Sequence, residues 1–100
     1  MMKLVALYRT PPDPASFDAH INDVHLPLLK KLPGLRSLDV LRITGAPIGE
    51  SKYHMLVEAG FDSRAAMDTA LSSKERKAVA RDLMLFAAEI VTIFHGESLD

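Results

Sequence analysis

Lys52-Tyr53-His54-Met55-Leu56-Val57-Glu58-Ala59-Gly60-Phe61 is the stretch on which the fold turns. Tyr53, Met55, Val57, Ala59 and Phe61 occupy alternate positions, the period-two pattern of a strand with one covered face. Asp62 follows as a candidate helix cap, and Phe61 just before it can staple the first turn of that helix. The Tyr53-to-Phe61 face is therefore expected to point toward helices. His54, Leu56, Glu58 and Gly60 are expected on the opposite face.

Upstream, Gly45, Pro47 and Gly49 mark a connection, preceded by a second strand over 35–44 that carries Leu35, Leu38, Val40, Leu41 and Ile43. Before it, Asp13-Pro14 opens a helix: Asp caps free N–H groups and Pro is preorganised for the first helical position. Phe17, Ile21, Val24 and Leu28 follow helical spacing and form one apolar stripe, and Pro33-Gly34 ends the helix after Leu32. Leu4-Val5-Ala6-Leu7-Tyr8 is a short continuous apolar run, read as the first strand. Downstream, the helix capped by Asp62 runs through Leu71. Ser72 and Glu75 match a capping box for a further helix with Val79, Leu83 and Phe86 on one stripe. The residues from Glu89 to His95 make the last strand. The order is β-α-β-β-α-β, an α+β chain of ferredoxin-like type.

One hundred residues suit a single domain over 1–100, and 48% apolar with 25% charged residues are ordinary globular proportions. The net charge of −1 is interspersed, so no footprint for nucleic acid or an anionic membrane stands out. Without cysteine, disulfides and thiolate metal sites are excluded, and a reducing, cytoplasmic setting is expected. No apolar run approaches the ~20 residues of a membrane span. The apolar start at Leu4–Leu7 is too short for a signal peptide, and Arg9 ends it without a small-residue cleavage site.

Helices on one side cover only one face of a four-stranded sheet. On the first strand both alternating sets, Val5/Leu7 and Leu4/Ala6/Tyr8, are mostly apolar. A bare apolar sheet face calls for a partner, and a symmetric homodimer is the default expectation.

Histidine moves protons near neutral pH because its unperturbed pKa is about 6.5. On regular helical geometry His20 and His25 lie on opposite flanks of the Phe17/Ile21/Val24/Leu28 stripe, and their separation of five misses the i, i+4 spacing of a metal pair. No metal and no cofactor are expected. Pro27 lacks an N–H and crowds the carbonyl of Asp23, so the helix should bend or loosen beside His25. The carbonyls freed there could hold the imidazole for acid–base work, or His25 could simply pack at the kink. His20 is expected at the surface beside the stripe. His54 and Glu58 share a strand face but stand roughly 13 Å apart, so each would contact a ligand separately. Tyr8 offers an aromatic wall and a hydroxyl. There is no Gly-rich phosphate loop, and the third strand lacks the stacking aromatics of an RNA-recognition domain.

His20-Ile21-Asn22-Asp23-Val24-His25-Leu26-Pro27-Leu28 and Leu32-Pro33-Gly34-Leu35-Arg36, with Lys3–Tyr8 and Phe61-Asp62-Ser63, resemble the EthD-like family over nearly the whole chain. The resemblance implies a ferredoxin-like protomer in a dimeric α+β barrel with internal pockets, associated with the catabolism of organic compounds. Similar barrels include muconolactone-type isomerases, polyketide cyclases and cofactor-independent monooxygenases. A histidine matching His25 looks catalytic in the isomerase relatives. The chain departs from many relatives in carrying Ile21 where they place an aromatic residue. The resulting expectation is a cofactor-free isomerase or cyclase acting on a small apolar carbonyl or lactone compound. His25 would move the proton, and Tyr8, His54 and Glu58 would bind substrate. The alternatives are a non-catalytic binding or accessory protein for a partner oxidase, and a cofactor-independent monooxygenase.

Overall fold

The computed structural model describes residues 1–99. Four strands, β1 (Met2–Arg9), β2 (Ser37–Arg42), β3 (Tyr53–Phe61) and β4 (Val91–Glu97), form one antiparallel sheet in the order β2-β3-β1-β4. The helices are α1 (Pro14–His20), α2 (Leu26–Leu29), α3 (Arg64–Leu71) and α4 (Lys74–Ala87). A π-helical segment, Ile21–His25, joins α1 to α2. The architecture is the expected α+β, ferredoxin-like one.

Register assigns the faces. Tyr8 pairs with Met55, Ala6 with Val57 and Leu4 with Ala59, so these side chains share one face. That face carries the core, in which Tyr8, Met55, Val57, Ala59 and Phe61 pack with Phe17, Ile21, Met67 and Leu83 from the helices. The other face presents Val5, Leu7, Leu56 and Glu58, flanked by Asp39 and Leu41 of β2 and Phe94 of β4. Leu41 and Phe94 are among the exposed large apolar residues there. A β-carbon at Gly60 on this face would meet the Ser37 hydroxyl of β2, which would have to turn aside.

Local details depart from the sequence reading where caps compete. Asp13 caps α1 as expected, accepting from Ser16 N–H at 3.2 Å. The cap of α3 is Ser63, not Asp62, because its hydroxyl accepts from Ala66 N–H. The cap of α4 is Ser73, accepting from Arg76 N–H, while Ser72 closes α3. α2 ends at Leu29, three residues before the expected Leu32, and Gly34 completes the turn with φ of 76°.

The largest departure lies in the first helical layer. The expected loosening beside Pro27 takes the form of the π segment, in which Leu26 N–H donates to the Ile21 carbonyl five residues back. One residue is thereby added to a turn. The buried stripe runs Phe17, Ile21, His25, Leu29 and Leu32 instead of Phe17, Ile21, Val24 and Leu28. Val24 turns outward, and His25 takes the buried place that the apolar stripe had given to Val24.

Candidate functional site

The π segment also decides how the two histidines of this layer meet. Five residues on a regular α-helix rotate a side chain by about 140° from its starting point, which predicts opposite flanks for His20 and His25. An i→i−5 turn instead stacks such residues roughly one above the other. Both rings therefore reach one carboxylate, that of Asp82 on α4. His20 Nε2 lies 2.8 and 3.0 Å from the two Asp82 oxygens, and His25 Nδ1 lies 2.9 Å from Oδ2. The imidazole of His25 is held by this carboxylate rather than by carbonyls freed at the helix break.

Asp82 is one of only two buried polar or charged residues among those described, the other being His25. Its burial is tolerable because both partners donate to it. With Nδ1–H donating to Asp82, the neutral His25 ring leaves Nε2 as its free, basic nitrogen, and among the described residues nothing bonds that atom. Burial lowers the His25 pKa, opposed by the hydrogen bond and charge of Asp82 and reinforced by neighbouring His20. The ring is thus biased toward the neutral form that a base requires.

Only 3% of the His25 side chain is accessible. It lines a small apolar cavity of about 60 Å³ together with Tyr8, Leu29, Leu83 and Ile93. Tyr8 is fully buried, and its hydroxyl has no hydrogen-bond partner among the described residues. Such an orphan is uncommon, since buried polar groups are nearly always paired. Burial, followed by the negative charge of Asp82, raises the Tyr8 pKa well above its ordinary value. The phenol therefore stays protonated and available as a donor.

A second, larger depression of about 550 Å³ opens beside the first helical layer, walled by Pro11, Phe17, His20, Met84, Phe86 and Ile90. His20 lines this groove while its Nε2 is bonded to Asp82. Phe86 stacks against His20 at 4.4 Å between ring centroids and against His25 at 5.1 Å.

His54 and Glu58 do not join this group. The β1–β3 register shifts between Tyr8 and Arg9, leaving His54 as the extra residue of a bulge opposite that step. Its side chain turns to α1, where Nε2 lies 2.6 Å from Asp18, which also pairs with Arg42 at 3.0 Å. His54 and Glu58 therefore do not share a face, as strict alternation predicted. Glu58 stays on the open side of the sheet, opposite Val5 and Asp39.

Sequence reasoning missed Asp82 and gave His20 only a surface role. A signal for Asp82 was available: with Val79, Leu83 and Phe86 it completes an i, i+3, i+4, i+7 set, placing an acid on an apolar stripe. Among the described residues no three histidine, aspartate or glutamate side chains converge to hold a metal. What the arrangement offers is a base oriented by a carboxylate, beside a protonated phenol, in an apolar enclosure.

Comparison with known proteins gives the chain its relatives. Over 93 residues, 93% of this chain and 90% of the relative, it is 28% identical to an uncharacterized 11.0 kDa protein from the thcB-thcC intergenic region of Rhodococcus erythropolis. The crystal structure of an ethyl tert-butyl ether d (EthD) family protein from Bacillus halodurans superimposes with a TM-score of 0.96 at 41% identity, covering 99% of both chains. Two more distant structures share the fold. One is a dimeric ferredoxin-like protein of unknown function from Bacteroides fragilis (TM-score 0.68, 14% identity, 97% and 95% covered). The other is SnoaB, a cofactor-independent oxygenase from Streptomyces nogalater (TM-score 0.68, 17% identity, 99% and 93% covered). The EthD domain profile matches residues 9–89, a span that includes Phe17, His20, His25, Asp82 and Phe86, and the chain belongs to the EthD family.

Proposed function

We propose that this protein acts without a cofactor on a small, largely apolar carbonyl or lactone compound, by proton transfer next to the carbonyl. The observation that supports this most is the clamp of Asp82 on His25 Nδ1, which leaves Nε2 without a bonded partner among the described residues, while Tyr8, with its unpartnered hydroxyl, lines the same small cavity as His25. In this reading His25 Nε2 removes a proton from the carbon adjacent to the carbonyl, and the electron pair moves onto the oxygen. The Tyr8 hydroxyl donates a hydrogen bond to that developing oxyanion. Return of the proton from His25 to a different carbon isomerises the compound, and return to the same carbon regenerates it. Asp82 is a positioning residue, holding the tautomer and stabilising the imidazolium that forms.

The protein works as a homodimer in a reducing, cytoplasmic compartment in this proposal. The apolar open face of the sheet and the dimeric Bacteroides fragilis relative support the pairing. The cysteine-free composition supports the compartment, and among the described residues no helix is long and apolar enough to cross a membrane.

Hydrogen–deuterium exchange at the α-carbons of cyclohexanone in D₂O tests the chemistry directly. The wild type should accelerate exchange over buffer, and His25→Gln should lower that acceleration by roughly 10²–10⁴-fold. Equal rates for wild type and His25→Gln would overturn the proposal. A second reading, cofactor-free oxygenation, has the fold likeness to SnoaB in its favour. Consumption of dissolved oxygen with a phenolic substrate would favour it over isomerisation.

A further inference from the structure

The cavity beside His25 and Tyr8 has about 60 Å³, well under the roughly 150 Å³ of an engineered apolar cavity that holds a benzene ring. No cyclic organic compound fits there whole. The groove of about 550 Å³ falls within the range of small-molecule sites, roughly 300–1,000 Å³, yet it contains neither His25 nor Tyr8 among its walls. The reactive groups and the room for a ligand are thus in different places.

One side chain of the groove wall reaches the residues of both. Phe86 of α4 touches two residues of the groove wall, His20 at 4.4 Å and Phe17 at 5.5 Å between ring centroids. It also touches the two polar residues of the cavity, His25 at 5.1 Å and Tyr8 at 6.3 Å. Phe86 is only partly buried, and its neighbours in sequence, Met84 and Leu85, are exposed. The ring is therefore not locked on all sides by core atoms, and a change in its side-chain torsions would open a way from the groove toward His25 and Tyr8.

We infer that groove and cavity are the two halves of one binding site for a flat, cyclic ketone or lactone, with Phe86 as the partition that sets ligand size. The ligand's ring system lies in the groove between Phe17, Phe86 and the prolines at 11 and 12, and its carbonyl passes Phe86 to reach Tyr8 and His25. Aromatic and proline walls suit the faces of such a ring. The orphaned Tyr8 hydroxyl supplies the donor that a carbonyl oxygen needs. This inference rests on the acid–base reading above and adds where the ligand enters and which residue selects it.

The test is ligand titration followed by NMR on the intact protein, with the bicyclic ketone 2-tetralone and the smaller cyclohexanone as probes. In the wild type, 2-tetralone should shift signals of Ser16 and Met84 in the groove together with those of Tyr8 and His25. Phe86→Ala should bind 2-tetralone roughly tenfold more tightly by removing the partition, equivalent to about 1.4 kcal/mol. Phe86→Leu, which keeps more apolar volume, should show the same direction with less risk to folding, and thermal unfolding of both variants monitors that risk. Phe86→Trp should confine the response to the groove signals. If 2-tetralone shifts only groove signals in wild type, Phe86→Ala and Phe86→Leu alike, groove and cavity are separate and the partition role of Phe86 is overturned. In that case α-proton exchange of acetone, a ketone without a ring, still tests His25 by itself: a wild-type rate above that of His25→Gln keeps the acid–base reading, so the two failures are distinguishable. If neither ketone shifts any signal, the ligand class is wrong and both readings fall.

Discussion

His25 Nδ1 lies 2.9 Å from Asp82 Oδ2, although 57 positions separate the two residues in sequence. The contact ties the π segment to α4, and it sets the tautomer of a histidine whose other nitrogen is left free. The same carboxylate receives His20, so one buried acid organises two imidazoles. Removing its charge while keeping its shape separates the electrostatic from the packing role.

In Asp82→Asn the hydrogen bond and charge that raise the His25 pKa are weakened, while burial continues to lower it. The His25 pKa should therefore fall further below its ordinary value, read by NMR from the ring C–H signals against pH. The amide oxygen cannot serve both histidines as well as two carboxylate oxygens do. A loss of roughly 1–3 kcal/mol in stability is expected for the donor left poorly paired. An unchanged or raised His25 pKa would show that Asp82 does not act on it as described.

The pH dependence of stability has a definite sign. Burial holds the folded His25 pKa below the ordinary value of 6.5. Between the two values the unfolded chain binds more protons than the folded one, so stability rises with pH through that window. The contribution is complete above about pH 6.5 and is lost on acidification down to the lowered folded pKa. Urea unfolding at about pH 7.5 and about pH 5.5 should give the lower midpoint in acid. His25→Gln, which retains a side-chain N–H donor, should narrow that difference.

Tyr8→Phe should make the unliganded protein more stable and less active. The orphaned hydroxyl is a desolvated polar group whose removal recovers roughly 1 kcal/mol. For a chain of this size each kcal/mol moves the unfolding midpoint by roughly 4–8 °C. Ketone exchange should slow in the same variant because the oxyanion loses its donor. A Tyr8→Phe protein that is both destabilised and fully active would argue for a purely structural tyrosine.

Sedimentation at micromolar concentration should report twice the chain mass. Leu7 lies at the centre of the open sheet face, paired with Leu56 on one side and Thr92 on the other. Leu7→Glu would place an unpaired charge at the middle of the proposed contact and should yield a folded monomer. A wild-type monomer across that concentration range would remove the dimer from the picture.

The strands, their order and the side of the sheet that meets the helices were legible in the sequence, because each is a short-range pattern. Alternation in Tyr53, Met55, Val57, Ala59 and Phe61 identified the core face of β3; the last four are buried, whereas Tyr53, beyond the His54 bulge, is exposed. Asp13-Pro14 marked the start of α1 for an equally local reason, a side chain capping the turn that follows it. Pro27 announced a break in regular helix bonding, and the break is there.

The way that break is resolved was not legible. A proline forbids a bond without saying whether the chain kinks, unwinds or takes in an extra residue. The choice of a π turn depends on which side chain the core can accept at the next buried place. Here His25 fills it instead of Val24, and what makes a buried imidazole acceptable is the carboxylate of Asp82 on a helix far along the chain. The His54 bulge has the same origin: alternation placed that residue with Glu58, and pairing with Asp18 across the fold turned it the other way. Periodicity reports what each segment prefers alone, whereas the position of a buried polar group is set by the partner that compensates its lost hydration. Such partners are brought together only when the helices pack on the sheet.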